Sequence, residues 1–218
     1  MDRKGQKMNM LSANAKVPTK IELPHFSVDT AYGGSQDWCR SRWMKLGGCA
    51  AITACDSAVY FTLRKGRKNL YPFAIDPISR EEYVDFTDLM KPYLRPRWGG
   101  IDRLELYMEG FGQFLHARGE TAIKMAPWRG ESSVSKTADA IKQQIQKDWL
   151  IPCLTLHHRH PAMEEYDWHW YILNGYEERD GRFFVKAVTY GAWRWLDLAM
   201  LWDTGYDQKG GLILYDLP

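Results

Sequence analysis

From Leu46 to Gly66 the chain reads LGGCAAITACDSAVYFTLRKG, two glycines and then a run of small and apolar residues closed by a basic, Gly-terminated turn. Such a run is too short to cross a bilayer and fits a buried core helix. From Ser79 onward the pattern becomes amphipathic. SREEYVDFTDLMKPYL and IDRLELYMEGFGQFLHA each return apolar residues at helical spacing, with the breaker RPRWGG between them. Ser79, followed three residues later by Glu82, makes a capping-box pattern. SKTADAIKQQIQKDW predicts a third helix after the serines at 132, 133 and 135. The period then drops to two: WLIPCLTLHH, WHWYILNGY, RFFVKAVTYG and GLILYDL read as strands, and Asp180-Gly181 in EERDG signals a hairpin between the second and third. Between the third and fourth, AWRWLDLAMLWDTG reads as a short apolar helix covering the sheet.

Helices first and antiparallel strands afterwards predict an α+β fold with two segregated halves. Residues 1 to about 30 are polar and broken by Pro18 and Pro24, which predicts an N-terminal arm, poorly ordered or docked on the surface. A single domain is expected over residues 31–218, with residues 79 to 125 as a helical insertion.

Composition narrows this picture. A chain of 218 residues that is 45% hydrophobic can bury one substantial core. Ten Trp, twelve Tyr and eight Phe favour ring packing in a mixed fold over an aliphatic helical bundle. The 29 basic and 27 acidic residues give a formal charge of +2 without long like-charged blocks, which argues against nucleic acid as a partner. The basic N-terminus has no apolar stretch behind it and no long apolar span follows, so neither membrane insertion nor export is expected and the reading is cytoplasmic. Reduced thiols are the expectation for Cys39, Cys49, Cys55 and Cys153. No CxxC or HExxH occurs, and of the cluster His157, His158 and His160 only the last two share a strand face, so neither a metal nor another cofactor is expected.

Cys49 is the first candidate for chemistry. Gly47 and Gly48 permit a sharp entry into the helix, whose positive end and free amides favour a thiolate and can polarise a carbonyl. The alternative is a small buried hydrophobe beside Ala50 and Ala51. His169 opens an apolar strand on one face with Tyr171 and Leu173, placed either to face a cleft or to sit satisfied in the core. Gln36, in the loop segment YGGSQDW, either donates to an oxyanion or faces solvent.

Taken in order, Gln36-Asp37-Trp38, Gly48-Cys49-Ala50-Ala51, Ala140-Ile141-Lys142 running to Ile151-Pro152-Cys153-Leu154, and His169-Trp170-Tyr171-Ile172-Leu173-Asn174-Gly175-Tyr176 resemble the bacteriocin-processing, double-glycine-leader peptidases and their papain-like relatives. The resemblance covers residues 31–64 and 134–191. It implies a papain-like fold, in which a helical half carrying the cysteine packs on an antiparallel sheet carrying the histidine. It further implies Cys49 as nucleophile, His169 as general base and Gln36 as oxyanion donor. The implied activity is that of a cysteine-dependent hydrolase working through a thiolate-imidazolium pair and an acyl-enzyme on a peptide or a small amide or thioester.

This sequence departs from the pattern in two places. Ala50-Ala51 stand where the family has Gly-Pro. The strand Val185-Lys186-Ala187-Val188-Thr189-Tyr190-Gly191 offers no carboxylate or amide to orient the histidine. Thr189 is its nearest polar group, and Thr-Tyr-Gly resembles the Ser-Trp-Gly after the catalytic Asn of papain, which puts Val188 where that Asn belongs. Asn174 points to the face opposite His169, and Asp197 reaches in only if the Trp-rich segment folds back. Two other readings stay open: acyl transfer to an amine on the same fold, and an inactive papain-like domain that binds a ligand. The acidic residues Glu164, Glu165 and Asp167, just before His169, are expected to rim the cleft and favour a basic or amide-rich substrate.

Overall fold

The computed structural model describes residues 19–217. In chain order the first half holds β1 (Lys20–Glu22), β2 (Ser27–Val28), β3 (Ala31–Tyr32), α1 (Arg42–Gly47), α2 (Cys49–Arg64), α3 (Arg80–Met90) and α4 (Leu104–Ala117). The second half holds β4 (Lys124–Arg129), α5 (Val134–Gln146), β5 (Ile151–Thr155), β6 (His169–Arg179), β7 (Arg182–Thr189), β8 (Ala192–Asp197), α6 (Leu198–Trp202) and β9 (Gly211–Asp216). The architecture is mixed α+β around a largely antiparallel sheet.

That sheet has seven strands among the described residues, ordered β4-β9-β5-β6-β7-β8, with β1 added on β6. β5 pairs with His169 to Leu173 of β6, and β1 continues along β6 from Gly175 to Glu177. The β6–β7 ladder shifts register between Leu173 and Tyr176, beside β1. The hairpins β6–β7 and β7–β8 turn through Asp180-Gly181 and Tyr190-Gly191, all four residues with positive φ, the twist that two-residue hairpin loops require.

α2 is buried on every side from Ala50 to Phe61 and packs on β6 and against α3. Small residues at Ala50, Ala51, Ala54 and Ala58 suit such close packing, and none is more than 1% exposed. Rings fill the rest. Phe61 meets Trp149 and Tyr215 edge-on at 5.3 and 4.9 Å, and Tyr107 of α4 stacks on Trp170 at 4.6 Å. Each ring so buried contributes about 1.5–3 kcal/mol, with a further ~1 kcal/mol from ring geometry. The cap on α3 is the one the sequence spells: Ser79 Oγ accepts from Glu82 N at 3.2 Å and donates to its carboxylate at 2.9 Å. Ser133 caps α5 in the same way through Lys136 N.

Three readings change. The segment after Tyr190 was expected to be helical, yet Ala192–Asp197 forms edge strand β8 before the short α6, because Tyr190-Gly191 makes a second tight hairpin. Lys124–Arg129 is also a strand, at the opposite edge, where Pro127 needs no ladder donor. Of the expected N-terminal arm, residues 1–18 lie outside the described residues. Beyond them, β1 joins the sheet and Leu23, Phe26 and Val28 are buried in the core, so this stretch is built into the fold. Helices α3 and α4 contribute Tyr83, Phe86, Phe111 and Phe114 to that same core.

Candidate active site

Cys49 opens α2 because α1 ends directly against it. Gly48, between them, donates to Met44 O at 2.9 Å, and a Cβ there would lie 2.4 Å from the same oxygen. Glycine is what lets the chain turn so tightly, and the turn leaves the Cys49 side chain partly exposed while Ala50 and Ala51 are buried.

His169 is the first residue of β6, opposite Thr155. Trp168 before it takes a left-handed conformation, φ 53°, and its N–H donates to Leu156 O at 2.5 Å. This kink sets the start of the strand. The His169 ring is 5% exposed, its Nε2 lies 2.7 Å from Thr189 Oγ1, and Tyr190 stacks on it at 5.0 Å with an interplanar angle of 2°. Tyr171 stacks at 6.1 Å.

Gln36 begins a short 3-10 turn, Gln36–Trp38, capped by Ser35. Its Nε2 donates to Lys45 O at 2.9 Å, which fixes the amide and leaves one N–H, while Oε1 is buried without a partner. The loop that carries Gln36 is tied down at Gly34. Gly34 N–H donates to the Asp56 carboxylate at 3.2 Å, and Gly34 O accepts from Gly191 N at 2.9 Å. One residue thus links the Gln36 loop, the cysteine helix and the turn beyond Thr189. No side chain fits at that position: a Cβ on Gly34 would stand 1.9 Å from the Tyr83 hydroxyl, which donates to Asp56 Oδ1 at 2.5 Å.

Cys49, His169, Gln36 and Tyr190 line one cleft of about 730 Å³. Behind it, Cys49, Gln36, Thr53, Asp56, His169 and Thr189 are among the residues around a void of about 10 Å³, the size of one water. Burial governs the electrostatics here. It raises the Cys49 thiol above its ordinary value, although the N–H groups of Trp170, Ala50 and Cys49 itself pull the other way. It lowers His169 to about 4 and raises Asp56 to about 7, the latter against the hydrogen bonds from Tyr83 and Gly34. Near neutral pH both shifts favour the uncharged thiol and imidazole, where the helix terminus alone leads one to expect a thiolate.

Other candidates lie elsewhere or are engaged. Asn174 Nδ2 donates to Tyr32 OH at 3.0 Å, and Asp197 caps α6 and pairs with Arg182. His158 Nε2 bonds Met200 O and its Nδ1 accepts from His160 N, while His160 Nδ1 caps the turn at Ala162. Among the described residues no group of three His, Cys, Asp or Glu side chains is arranged to hold a metal ion. Cys39, Cys49, Cys55 and Cys153 are all free thiols. Glu164, Glu165 and Asp167 do rim the cleft. Sequence reasoning missed Tyr190, Asp56 and the cleft's Trp43, Leu46 and Trp98. The turn dipeptide Tyr190-Gly191 was the available signal for the first, and a buried Asp two helical turns after Cys49 for the second.

No protein-family model matches this chain, and no curated protein matches it in sequence.

Proposed function

We propose that the chain is a cysteine-dependent hydrolase of papain-like type, acting on an amide or peptide bond with Cys49 as nucleophile and His169 as general base. One observation carries this reading: the first residue of a core helix and the first residue of a distant strand line the same cleft, with Gln36 beside them and Thr189 bonded to the imidazole.

In this mechanism Nε2–H of His169 donates to Thr189 Oγ1, so Nδ1 keeps its lone pair for the cysteine proton. Starting from the neutral pair, Sγ attacks the carbonyl carbon as its proton passes to Nδ1, and one net charge never has to sit alone in a buried site. The oxyanion accepts from helix-terminal N–H groups and from the remaining Gln36 Nε2–H. Collapse breaks the C–N bond and Nδ1–H protonates the leaving amine. Water then cleaves the thioester by the same proton route, releasing the acid and restoring the thiol. Thr189 does the orienting work done by an amide in papain.

The test is turnover of a peptide-amide library by wild type, Cys49→Ser and His169→Ala. Loss of all turnover in the first variant and a fall of about 10²-fold or more in the second support the reading. Equal turnover in the three proteins overturns it. Acyl transfer on the same residues is the second reading, favoured by the cleft's apolar lining, against which an organic acceptor gains more than water does; added amine capturing the acyl group in place of water identifies it.

A further inference from the structure

Asp56 is a buried acid that no cation neutralises. It is 3% exposed, and only Tyr83 and Gly34 bond its carboxyl among the described residues. Such a group lowers stability, which makes it a candidate for a working role. It stands seven residues after Cys49 on α2, about 20° short of two full turns, so the two side chains share a helix face with Ile52 and Thr53 between them. That face borders the void of about 10 Å³, which His169 and Thr189 border from the sheet.

The two carboxyl oxygens are used unequally. Oδ1 takes the bond from Tyr83 OH and the shorter one from Gly34 N–H, whereas Oδ2 has only a 3.3 Å share of the Gly34 proton. A Cβ on Gly33 would lie 3.1 Å from Oδ2 and 3.4 Å from Val188 Cγ1, so Oδ2 looks across a bare glycine to the residue before Thr189. With His169 Nε2–H donating to it at 2.7 Å, the Thr189 hydroxyl still has its own proton to give, and no acceptor for it stands among the described residues. Gln36 borders the same void and has an Oε1 buried without a partner.

Resting on the cysteine-hydrolase reading, we propose that Asp56 is a positioning residue for His169, its carboxylate joined to the Thr189 hydroxyl through one water in this void. The water accepts from Thr189 and donates to Asp56 Oδ2 and Gln36 Oε1, which gives it the polar partners a buried water needs. These bonds keep a Thr189 lone pair on Nε2–H and set a negative charge behind the imidazole. When Nδ1 takes the cysteine proton, that charge meets the new positive one, and no proton leaves Asp56 or Thr189. Asp56 does not line the substrate cleft, so it acts on kcat and not on KM.

Ionisation of Asp56 supplies the test, because its neighbours stay uncharged near neutral pH. Burial keeps Tyr83 of α3, Cys55 of α2 and, at the void, Cys49 and Tyr190 protonated. Burial likewise holds His25, across Gly33, at about 3 and His169 at about 4. Lys186, two residues before Val188 on β7, is paired with Glu22 at 2.7 Å. In Cys49→Ala carrying isotope-labelled histidine, where no turnover occurs, the His169 Nε2 resonance should shift with a midpoint at about 7, and the step should vanish in Asp56→Asn and in Thr189→Val. With Cys49 present, kcat should rise about tenfold through the same pH, above a lower plateau that persists until His169 itself is protonated. Asp56→Asn should stay on that plateau with KM unchanged, and adding it to Thr189→Val should cost nothing more, since one acts through the other. Tyr83→Phe loses the 2.5 Å bond but leaves Oδ2 free, so the step should move to higher pH with the upper plateau kept. A fall of the whole Tyr83→Phe profile would assign the effect to packing of α2 on α3 and overturn the inference, as would a His169 resonance without the step or losses that multiply in the double variant. A resonance step in a protein that turns over no amide removes the hydrolase and upholds the link from Asp56 to His169.

Discussion

Asp56 gives the most quantitative handle on the site's electrostatics. Its carboxyl is 3% exposed and accepts from Tyr83 OH and Gly34 N–H, yet burial outweighs both and lifts its pKa from 3.8 to about 7. A carboxyl whose folded value lies above its unfolded one binds more protons when folded, so its contribution to stability is present below pH 3.8 and is lost as pH rises through about 7. Between those limits the loss runs at about 1.4 kcal/mol per pH unit, on the order of 4 kcal/mol in all. Asp56→Asn keeps an oxygen for Tyr83 and Gly34 but cannot ionise. Urea unfolding of both proteins at pH 5, 6, 7 and 8 measures the difference directly, and other titrating groups cancel in the comparison. The stability of wild type relative to Asp56→Asn should fall by about 2 kcal/mol from pH 5 to pH 7 and flatten above pH 8. A difference that stays constant, or grows in favour of wild type, would refute the assignment of a buried carboxyl that is neutral in acid.

Three further outcomes are expected. Thr189→Val removes the 2.7 Å partner of His169 Nε2; kcat should fall about tenfold or more with KM little changed, and stability by about 1–3 kcal/mol in urea unfolding. His169, held near 4, stays unprotonated as a base well into acid, so kcat/KM should be lost only as pH falls through about 4, where a histidine at 6.5 would lose it more than two pH units earlier. The same shift has a stability sign: the unfolded imidazole takes up protons first, so its contribution is full above 6.5 and declines as pH falls toward 4. Ser79→Ala should lower the melting temperature by about 2–4 °C through the lost α3 cap, about 1 kcal/mol, with activity untouched.

Local signals made much of the fold legible. Helix α2 followed from its continuous small and apolar run, α3 to α5 from apolar spacing and the cap at Ser79, and β5, β6, β7 and β9 from their period of two, because in each the buried face repeats within a few residues. β8 escaped because its Trp-Arg-Trp alternation runs straight into residues 196–202 and the whole reads as one apolar helical stretch, and β4 because Pro127 speaks against a strand anywhere but an edge. β1 is three residues whose pairing depends on β6, more than 150 positions away, and no local pattern records that. At the site, Cys49, His169, Gln36 and Thr189 were nameable from sequence, but their convergence around one small void depends on α2 packing on β6. The neutral resting pair was not legible, since the helix terminus is a local feature and desolvation comes from the whole fold.

The most direct test of a working Cys49–His169 pair is the alkylation rate of each thiol by iodoacetamide at neutral pH, followed by mass spectrometry in wild type and His169→Ala. Cys49 should react faster than Cys39, Cys55 and Cys153, and should slow about tenfold or more when the imidazole is removed. A Cys49 rate that is unchanged or higher in His169→Ala would show exposure without assistance and contradict the account.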